Sequence, residues 1–161
     1  MKKFMYMCMM LLAATLTFTA CGSDDDDNGN VNNGGGGQQQ QQGGNEVNQD
    51  NYYKYQESIN VQGVGAITII GEATFDKGTC TAIAFTYVYP SKSIAKQIWD
   101  SYQNDPKMAE ELPKYSYDGD KSLVYRYDDE DVASISSMGK EGVCSVIKAT
   151  VQATIEALGK V

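Results

Sequence analysis

The chain has 161 residues, of which 13 are Lys or Arg, 21 are Asp or Glu and none is His, so its formal net charge at neutral pH is −8. Because no cluster of Lys and Arg is present to neutralise phosphates, the sequence argues against a nucleic-acid partner. The lack of histidine removes the commonest general base and the commonest zinc ligand, and we expect neither a metal site nor another cofactor.

The first twenty residues have the three parts of an export signal. Lys2 and Lys3 form a positively charged start, residues 4–12 are apolar and uncharged, and residues 13–20 become smaller and more polar. The stretch is too short and too often interrupted by Thr for a membrane-spanning helix, which needs about 20 predominantly apolar residues. We therefore predict a cleaved signal peptide over residues 1–20.

The signal ends at a small residue, Ala20, that is followed by Cys21. This junction resembles the lipobox of bacterial lipoproteins, in which the thiol is acylated and the cysteine becomes the mature N-terminus; Phe18 stands where that family prefers Leu, Val or Ile. The resemblance implies a palmitate-type lipid anchor on Cys21, and two or more acyl chains are enough for stable membrane attachment. The alternative is an ordinary signal peptide with an incidental cysteine.

Cys21 is followed by Gly22 and then by a polar run that ends in four consecutive aspartates. Its members are Ser23, Asp24, Asp25, Asp26 and Asp27. The run resembles the acidic export tag of Bacteroidetes-type surface lipoproteins. That resemblance implies display on the outer face of the outer membrane. The alternative is a solvated block of like charges without a sorting role.

Residues 28–50 are rich in Asn, Gly and Gln and show no hydrophobic period. Such a composition buries too little surface to offset the entropy of ordering, so we predict that residues 21–50 form the lipidated cysteine, the tag and a disordered tether. Residues 51–161 remain, and their length suits one small domain.

The domain's predicted elements follow from periodicity and turn residues. Residues 64–75 and 79–89 read as strands around a turn that contains Gly78, and Ser91 is the predicted N-cap of a helix that ends near residue 104. A second, short helix is predicted from Pro106 to Pro113.

The second half of the domain repeats the order of strand, strand and helix. A hairpin is predicted over residues 115–118 and 122–128 around Gly119, followed by a short helical turn over 132–137 and a long amphipathic helix over 141–158. We therefore predict an α+β domain with a mainly antiparallel four-stranded sheet, in the order ββαββα, and with helices packed on one face.

Aromatic residues spaced two apart are the most unusual feature of the domain, because residues at this spacing share one face of a strand. The interpretation we favour places these rings in the core, beside Ile83, under the helices. The alternative turns the same face outward as a binding surface, because Tyr is enriched at interfaces. The residues of this candidate binding face are Phe85, Tyr87, Tyr89, Tyr125 and Tyr127.

Cys80 and Cys144 are the thiols left after the signal peptide and Cys21 are set aside. In an exported protein two such cysteines suggest a disulfide, whereas two buried free thiols are the alternative. Strict strand alternation places Cys80 on the face opposite to Tyr87 and Tyr89. The bridge and the buried tyrosines therefore compete in the sequence.

The carboxylates of the second half suggest calcium or glycosidase chemistry, although turn and helix-cap roles also account for them. The residues concerned are Asp118, Asp120, Asp128, Asp129, Glu130 and Asp131. Their spacing is not that of an EF-hand loop, and no nucleophile-elbow pattern is present.

The favoured function is a non-catalytic, surface-displayed binding module for a glycan or protein ligand, held on the membrane by its lipid anchor. Surface lipoproteins of the kind that the N-terminus resembles commonly serve in glycan capture, adhesion or accessory roles beside transporters. The alternative is a small surface hydrolase or hydrolase inhibitor that acts on glycan or protein. The sequence does not define the oligomeric state.

Overall fold

A computed structural model describes residues 41–160, with side chains from residue 44 onward. The predicted signal peptide, Cys21 and the acidic tag lie outside the described residues. The elements of the described part are β1 (Gln41–Gln49), β2 (Tyr52–Val61), β3 (Gly65–Asp76), β4 (Thr79–Val88), α1 (Lys92–Asn104), β5 (Tyr115–Tyr117), β6 (Ser122–Arg126), α2 (Asp129–Ser136) and α3 (Gly139–Leu158).

The described strands form one antiparallel sheet in the order β1-β2-β3-β4-β6-β5, and α1, α2 and α3 pack on one of its faces. The predicted α+β class, with an antiparallel sheet and helices on one face, is confirmed. The predicted strand number and element order are wrong, because the sheet has six strands and two of them, β1 and β2, precede the first predicted strand.

The strand β1 lies in the segment that we predicted to be a disordered tether, so that prediction is wrong for residues 41–49. Backbone pairing with β2 holds this strand, from Asn45 opposite Gln56 to Gln49 opposite Tyr52. Its side chains are exposed from Gly44 onward, which explains why its composition gave no signal. Lys140 of α3 donates to the Gln49 carbonyl oxygen at 2.7 Å, which also links the strand to the helix.

The strand β2 is an alternating strand whose pattern is interrupted by an acid. Tyr53, Tyr55, Ile59 and Val61 are buried at spacing two, and the position between Tyr55 and Ile59 is the buried Glu57. The Tyr55 hydroxyl donates to Glu57 Oε2 at 3.0 Å, which compensates part of the cost of removing that carboxylate from water. Because Glu57 interrupts the apolar series, the strand β2 was not predicted from the sequence.

The first helix forms as predicted. The backbone N–H of Ile94 donates to Ser91 Oγ at 3.3 Å, so Ser91 is the N-cap, and α1 ends at Asn104. The predicted helix from residue 106 to 113 is instead two 3-10 turns, Pro106–Met108 and Leu112–Lys114. Each turn contains a proline near its start, Pro106 or Pro113. Because proline has no N–H to donate, two short 3-10 turns are favoured over a continuous α-helix.

The helix α3 covers the centre of the sheet with a stripe of buried apolar residues. It packs tightly against Gly71 of β3, where an added Cβ would lie 2.5 Å from Ile147 Cγ2 and 3.1 Å from Val151 Cγ2. The absence of a side chain at residue 71 therefore sets how near the helix can come to the sheet. Within residues 41–160, no helix has the length and apolarity needed to cross a membrane.

Candidate interaction surface

The aromatic series belongs to the core. Its members are buried or half-buried on the helix-covered face, and the exposed fractions of Phe85, Tyr87 and Tyr89 are 0%, 2% and 2%. The favoured interpretation is thus confirmed, and the exposed binding face made of Phe85, Tyr87, Tyr89, Tyr125 and Tyr127 is wrong. The physical reason is that α1, α2 and α3 all lie on the face toward which these rings point.

Most of the ring pairs are tilted or edge to face, whereas Trp99 and Tyr117 are stacked with their centroids 6.4 Å apart. The Tyr115 and Tyr125 ring centroids are 4.7 Å apart, and Tyr102 of α1 meets Tyr115 in a T-shaped contact at 5.3 Å. Such contacts stabilise a core beyond the area that the rings bury. Burial raises the pKa of Tyr125 to about 12, with the carboxylate of Glu111 adding to the shift, so the phenol stays protonated.

The two cysteines are free buried thiols, so the candidate disulfide between Cys80 and Cys144 is not formed in this structure. The thiol of Cys80 donates to the Ala82 carbonyl oxygen at 3.6 Å. Cys144, on α3, and Cys80, the second residue of β4, lie within electrostatic range of each other but form no bond. Burial raises the pKa of both thiols.

Three of the carboxylates weighed for calcium or catalysis, Asp118, Asp128 and Asp131, serve as caps or ion-pair partners. Asp118 accepts hydrogen bonds from the backbone N–H groups of Asp120 and Ser122, at 2.7 and 3.0 Å, within the β5–β6 turn. Asp128 accepts from the Asp131 N–H at 2.9 Å and caps α2. Among the described residues, no group of three or more acidic or cysteine side chains could hold a metal ion.

Lys114 ties the second 3-10 turn to the start of α2. Its Nζ lies 2.7 Å from Asp128, 3.2 Å from Asp131 and 3.7 Å from Glu111, and only 20% of its side chain is exposed. The hydrogen bond to Asp128, followed by that to Asp131, raises the pKa of Lys114. The arrangement is a structural clamp, because one ammonium group lies within 4 Å of all three carboxylates.

The face of the sheet opposite to the helices is not covered by any of the described helices. We call it the open face. Strand register arranges its side chains in rows that run across the strands. The central row is Asn45, Gln56, Ile70, Thr86, Val124 and Ser116, and the row beside it is Ser58, Thr68, Val88 and Ser122.

These two rows carry no charge, although the whole chain has a net charge of −8. They combine hydroxyl and amide groups with three aliphatic side chains, Ile70, Val88 and Val124, each of them half-buried by its neighbours. Ser58 and Thr68 hydrogen-bond each other through their hydroxyl groups at 2.8 Å. The centre of the open face is therefore uncharged, with its polar groups partly paired within the sheet.

The charges of the open face are concentrated in the next row, which reads Val47, Lys54, Glu72, Ala84 and Arg126. Glu72 accepts a short hydrogen bond from the Tyr52 hydroxyl. Arg126 donates to Ser116 Oγ at 2.8 Å. The row places a carboxylate between two cationic side chains, so it borders the uncharged rows with charge of both signs.

The open face was not predicted from the sequence as a candidate site, because the tyrosines that alternate with its residues on the same strands are the stronger signal. The signal that the sequence offers is the small or aliphatic character of Ile70, Thr86 and Val88, which alternate with buried residues on β3 and β4. No protein family, curated protein or solved structure matches this chain.

Proposed function

We propose that this protein is a lipid-anchored, surface-displayed binding module without catalytic activity, and that its open face is the surface that meets a protein or glycan partner. The single observation that carries this proposal is the arrangement of the layers. All described helices lie on one side of the sheet, and the other side presents two uncharged rows whose side chains are half-buried except at Asn45 and Ser116.

The shape of the open face favours a macromolecular partner. Small-molecule sites are usually concave, whereas a sheet face is broad and only gently curved. With strands about 4.8 Å apart and residues on one face about 6.8 Å apart, the three rows named above span at most roughly 24 by 14 Å. That footprint is less than half of the area, about 800 Å² per partner, that a standard protein interface covers, so a protein partner would also contact the surface around these rows.

The composition of the open face supports the same proposal. Interface centres are depleted of charge, and the two uncharged rows fit that description, while Lys54, Glu72 and Arg126 form a polar border. A glycoside hydrolase, which is one form of the alternative, would need two carboxylates that face a common substrate. The carboxylates that suggested it, Asp118 and Asp128, are engaged by backbone N–H groups and by Lys114.

The proposed location on the cell surface rests on residues 1–27 alone, which resemble a lipoprotein signal with an acidic export tag. A lipidated Cys21 would hold the domain at the membrane, and the run from Asp24 to Asp27 would direct it to the cell exterior. A binding module that faces outward needs no further machinery to meet extracellular glycans or proteins.

The test is a binding screen against glycan and protein arrays with the chain from Gly22 to Val161. Ile70→Lys and Thr86→Lys each place a charge in the uncharged centre and should weaken binding of a true ligand at least tenfold, about 1.4 kcal/mol. Ala153→Lys, on the exposed side of α3, is the matched control and should bind as the parent does. A ligand that binds all three variants equally would exclude the open face as its site.

A further inference from the structure

The outer edge of β1 is an unpaired strand edge. In the described part of the chain, β1 pairs with β2 on its inner side and has no strand on its outer side. A free edge presents a row of backbone N–H and C=O groups that can pair with another strand. Proteins usually protect such edges with Lys, Pro, a bulge or very short strands.

The strand β1 has only part of this protection. The register shifts between Gln42 and Asn45, so a bulge disturbs its first half. The second half, from Asn45 to Gln49, contains no Pro and no Lys. Val47, in the middle of this half, is a large apolar side chain that is 40% exposed and lies on the open face.

The one charge of this half-strand is already neutralised. Glu46 points to the helix-covered face, as its position opposite Tyr55 requires, and its carboxylate lies 2.9 Å from Lys148 Nζ of α3. An inward-pointing charge normally discourages edge pairing. Here the lysine of the same chain removes the repulsion that a second copy of Glu46 would otherwise meet.

We propose that β1 pairs with β1 of a second copy of this chain, antiparallel and about a twofold axis at Val47. In this register Val47 lies opposite Val47 of the second copy, and Asn45 lies opposite Gln49 on the same face. On the helix-covered face Glu46 lies opposite Asn48. No like charges meet, and each side chain faces one that is apolar or can hydrogen-bond with it.

The pairing joins two sheets into one sheet of twelve strands with both open faces on the same side, because the twofold axis is perpendicular to the sheet. The self-complementary register makes the contact isologous and closed, so it ends at a dimer. About five residues of each strand take part, which makes a weak interface. If two chains share one membrane, their high effective concentration favours the pair.

Cysteine cross-linking tests the register. In the proposed pair the two residues at position 47 are about 4.5 to 5.5 Å apart at Cα, whereas the two residues at position 49 are separated by about 14 Å along the strands. We expect a short bis-maleimide to convert purified mature Val47→Cys into a covalent dimer and to leave Gln49→Cys largely monomeric. The two positions are exposed on the same strand and the same face, so they are matched.

The native cysteines serve as a further control, because the parent protein should not cross-link while Cys80 and Cys144 stay buried. Both variants must react equally with a monofunctional maleimide, which shows equal access. Sedimentation over a concentration series should give a dimer for the parent and a monomer for Val47→Lys, which sets two cations opposite each other. Equal cross-linking of the two cysteine variants, failure of the Val47 variant to cross-link, or a parent that stays monomeric would each overturn the proposal.

Discussion

Cys80 lies directly opposite Phe75 across the β3–β4 hairpin, whereas one step further along the strands Ala82 lies opposite Thr74. Thr81 is therefore an extra residue in β4. This β-bulge reverses the sheet face toward which the preceding side chains of β4 point. It turns Cys80 to the helix-covered face, which Tyr87 and Tyr89 also occupy. The expectation that a helix-facing Cys80 excludes buried tyrosines is wrong, because it assumed strict alternation along β4.

The first prediction concerns the reactivity of the two thiols. In the chain from Gly22 onward, burial raises the pKa of Cys80 and Cys144, so the nucleophilic thiolate is scarce at neutral pH. We expect the native protein to react slowly with Ellman's reagent and two thiols per chain to react after unfolding without reductant. Cys80→Ser and Cys144→Ser should each lower that count to one. A count of zero in the unfolded parent would show a bridge.

The second prediction concerns the tight packing of α3 against the sheet. Gly71→Ala places a methyl group 2.5 Å from Ile147 Cγ2, and because backbone on both sides is held by neighbouring strands, the helix must shift. Overpacking of this kind typically costs about 1–3 kcal/mol in the free energy of unfolding. Urea denaturation of the chain from Gly22 onward measures it.

The matched control for Gly71→Ala is a second substitution at the contact. Ile147→Leu removes the Cγ2 methyl group while it keeps the side-chain volume, so the double variant should lose less stability than the sum of the two single variants. Strict additivity of the two changes would mean that Gly71 and Ile147 do not limit the helix–sheet distance.

How much of the fold the sequence predicts depends on how each element is held. The strands β3 and β4 and the helices α1 and α3 bury a regular apolar series, and their predicted bounds agree with the structure to within two residues. The strand β1 has no such series, because backbone pairing to β2 and contacts from Lys140 and Lys148 hold it. Composition alone cannot distinguish it from a tether.

The candidate site depends on which face of the sheet each side chain occupies, and this is harder to predict than the strands and helices themselves. The buried tyrosines were favoured correctly, since large rings at spacing two suit the covered face of a sheet. The bulge at Thr81 leaves no mark in the sequence, because Thr79, Thr81 and Ala82 are all small and compatible with either face. The open face became visible only when the register aligned residues from separate strands.

The third prediction concerns stability in acid. The hydrogen bond from Lys114 lowers the pKa of Asp128, and a carboxyl group whose pKa is lower in the folded state stabilises the protein above its ordinary pKa. That stabilisation is lost as the pH falls through the folded-state pKa. Below about pH 4, where ordinary Asp side chains protonate, the parent should therefore lose stability more steeply than Lys114→Met.

The measurement is the free energy of unfolding of the chain from Gly22 onward between pH 6 and pH 3. At pH 6 we expect Lys114→Met to be less stable by about 1 kcal/mol, the upper end for partly exposed ion pairs. Lys96→Met is the control, because the Lys96 side chain is 60% exposed, against 20% for Lys114, and pairs with Asp100 at 2.6 Å. Parallel pH profiles for the parent and Lys114→Met would contradict the role of the clamp.

The fourth prediction tests the lipid anchor. Cys21→Ser removes the thiol that the lipobox resemblance marks for acylation, so the variant should accumulate as an unprocessed precursor without fatty-acid label. Cys8→Ser lies within the predicted signal peptide and provides the matched control, since it should be processed and labelled normally. Labelling of the Cys21 variant with a radioactive fatty acid would exclude lipidation at this residue.

The last prediction tests whether the acidic run directs the protein to the cell surface, and it distinguishes surface display from membrane attachment. Changing Asp24, Asp25, Asp26 and Asp27 together to Ala leaves Cys21 in place, so the protein should stay in the membrane fraction. If the acidic run is a sorting signal, the altered protein should be protected from protease that is added to intact cells, whereas the parent is digested. Changing the same four residues to Glu keeps the charge and should keep the digestion, which distinguishes a charge-read signal from one that requires Asp. Equal digestion of the Ala variant and the parent would show that the run is only a solvated spacer, and the binding proposal would then have to stand on the open face alone.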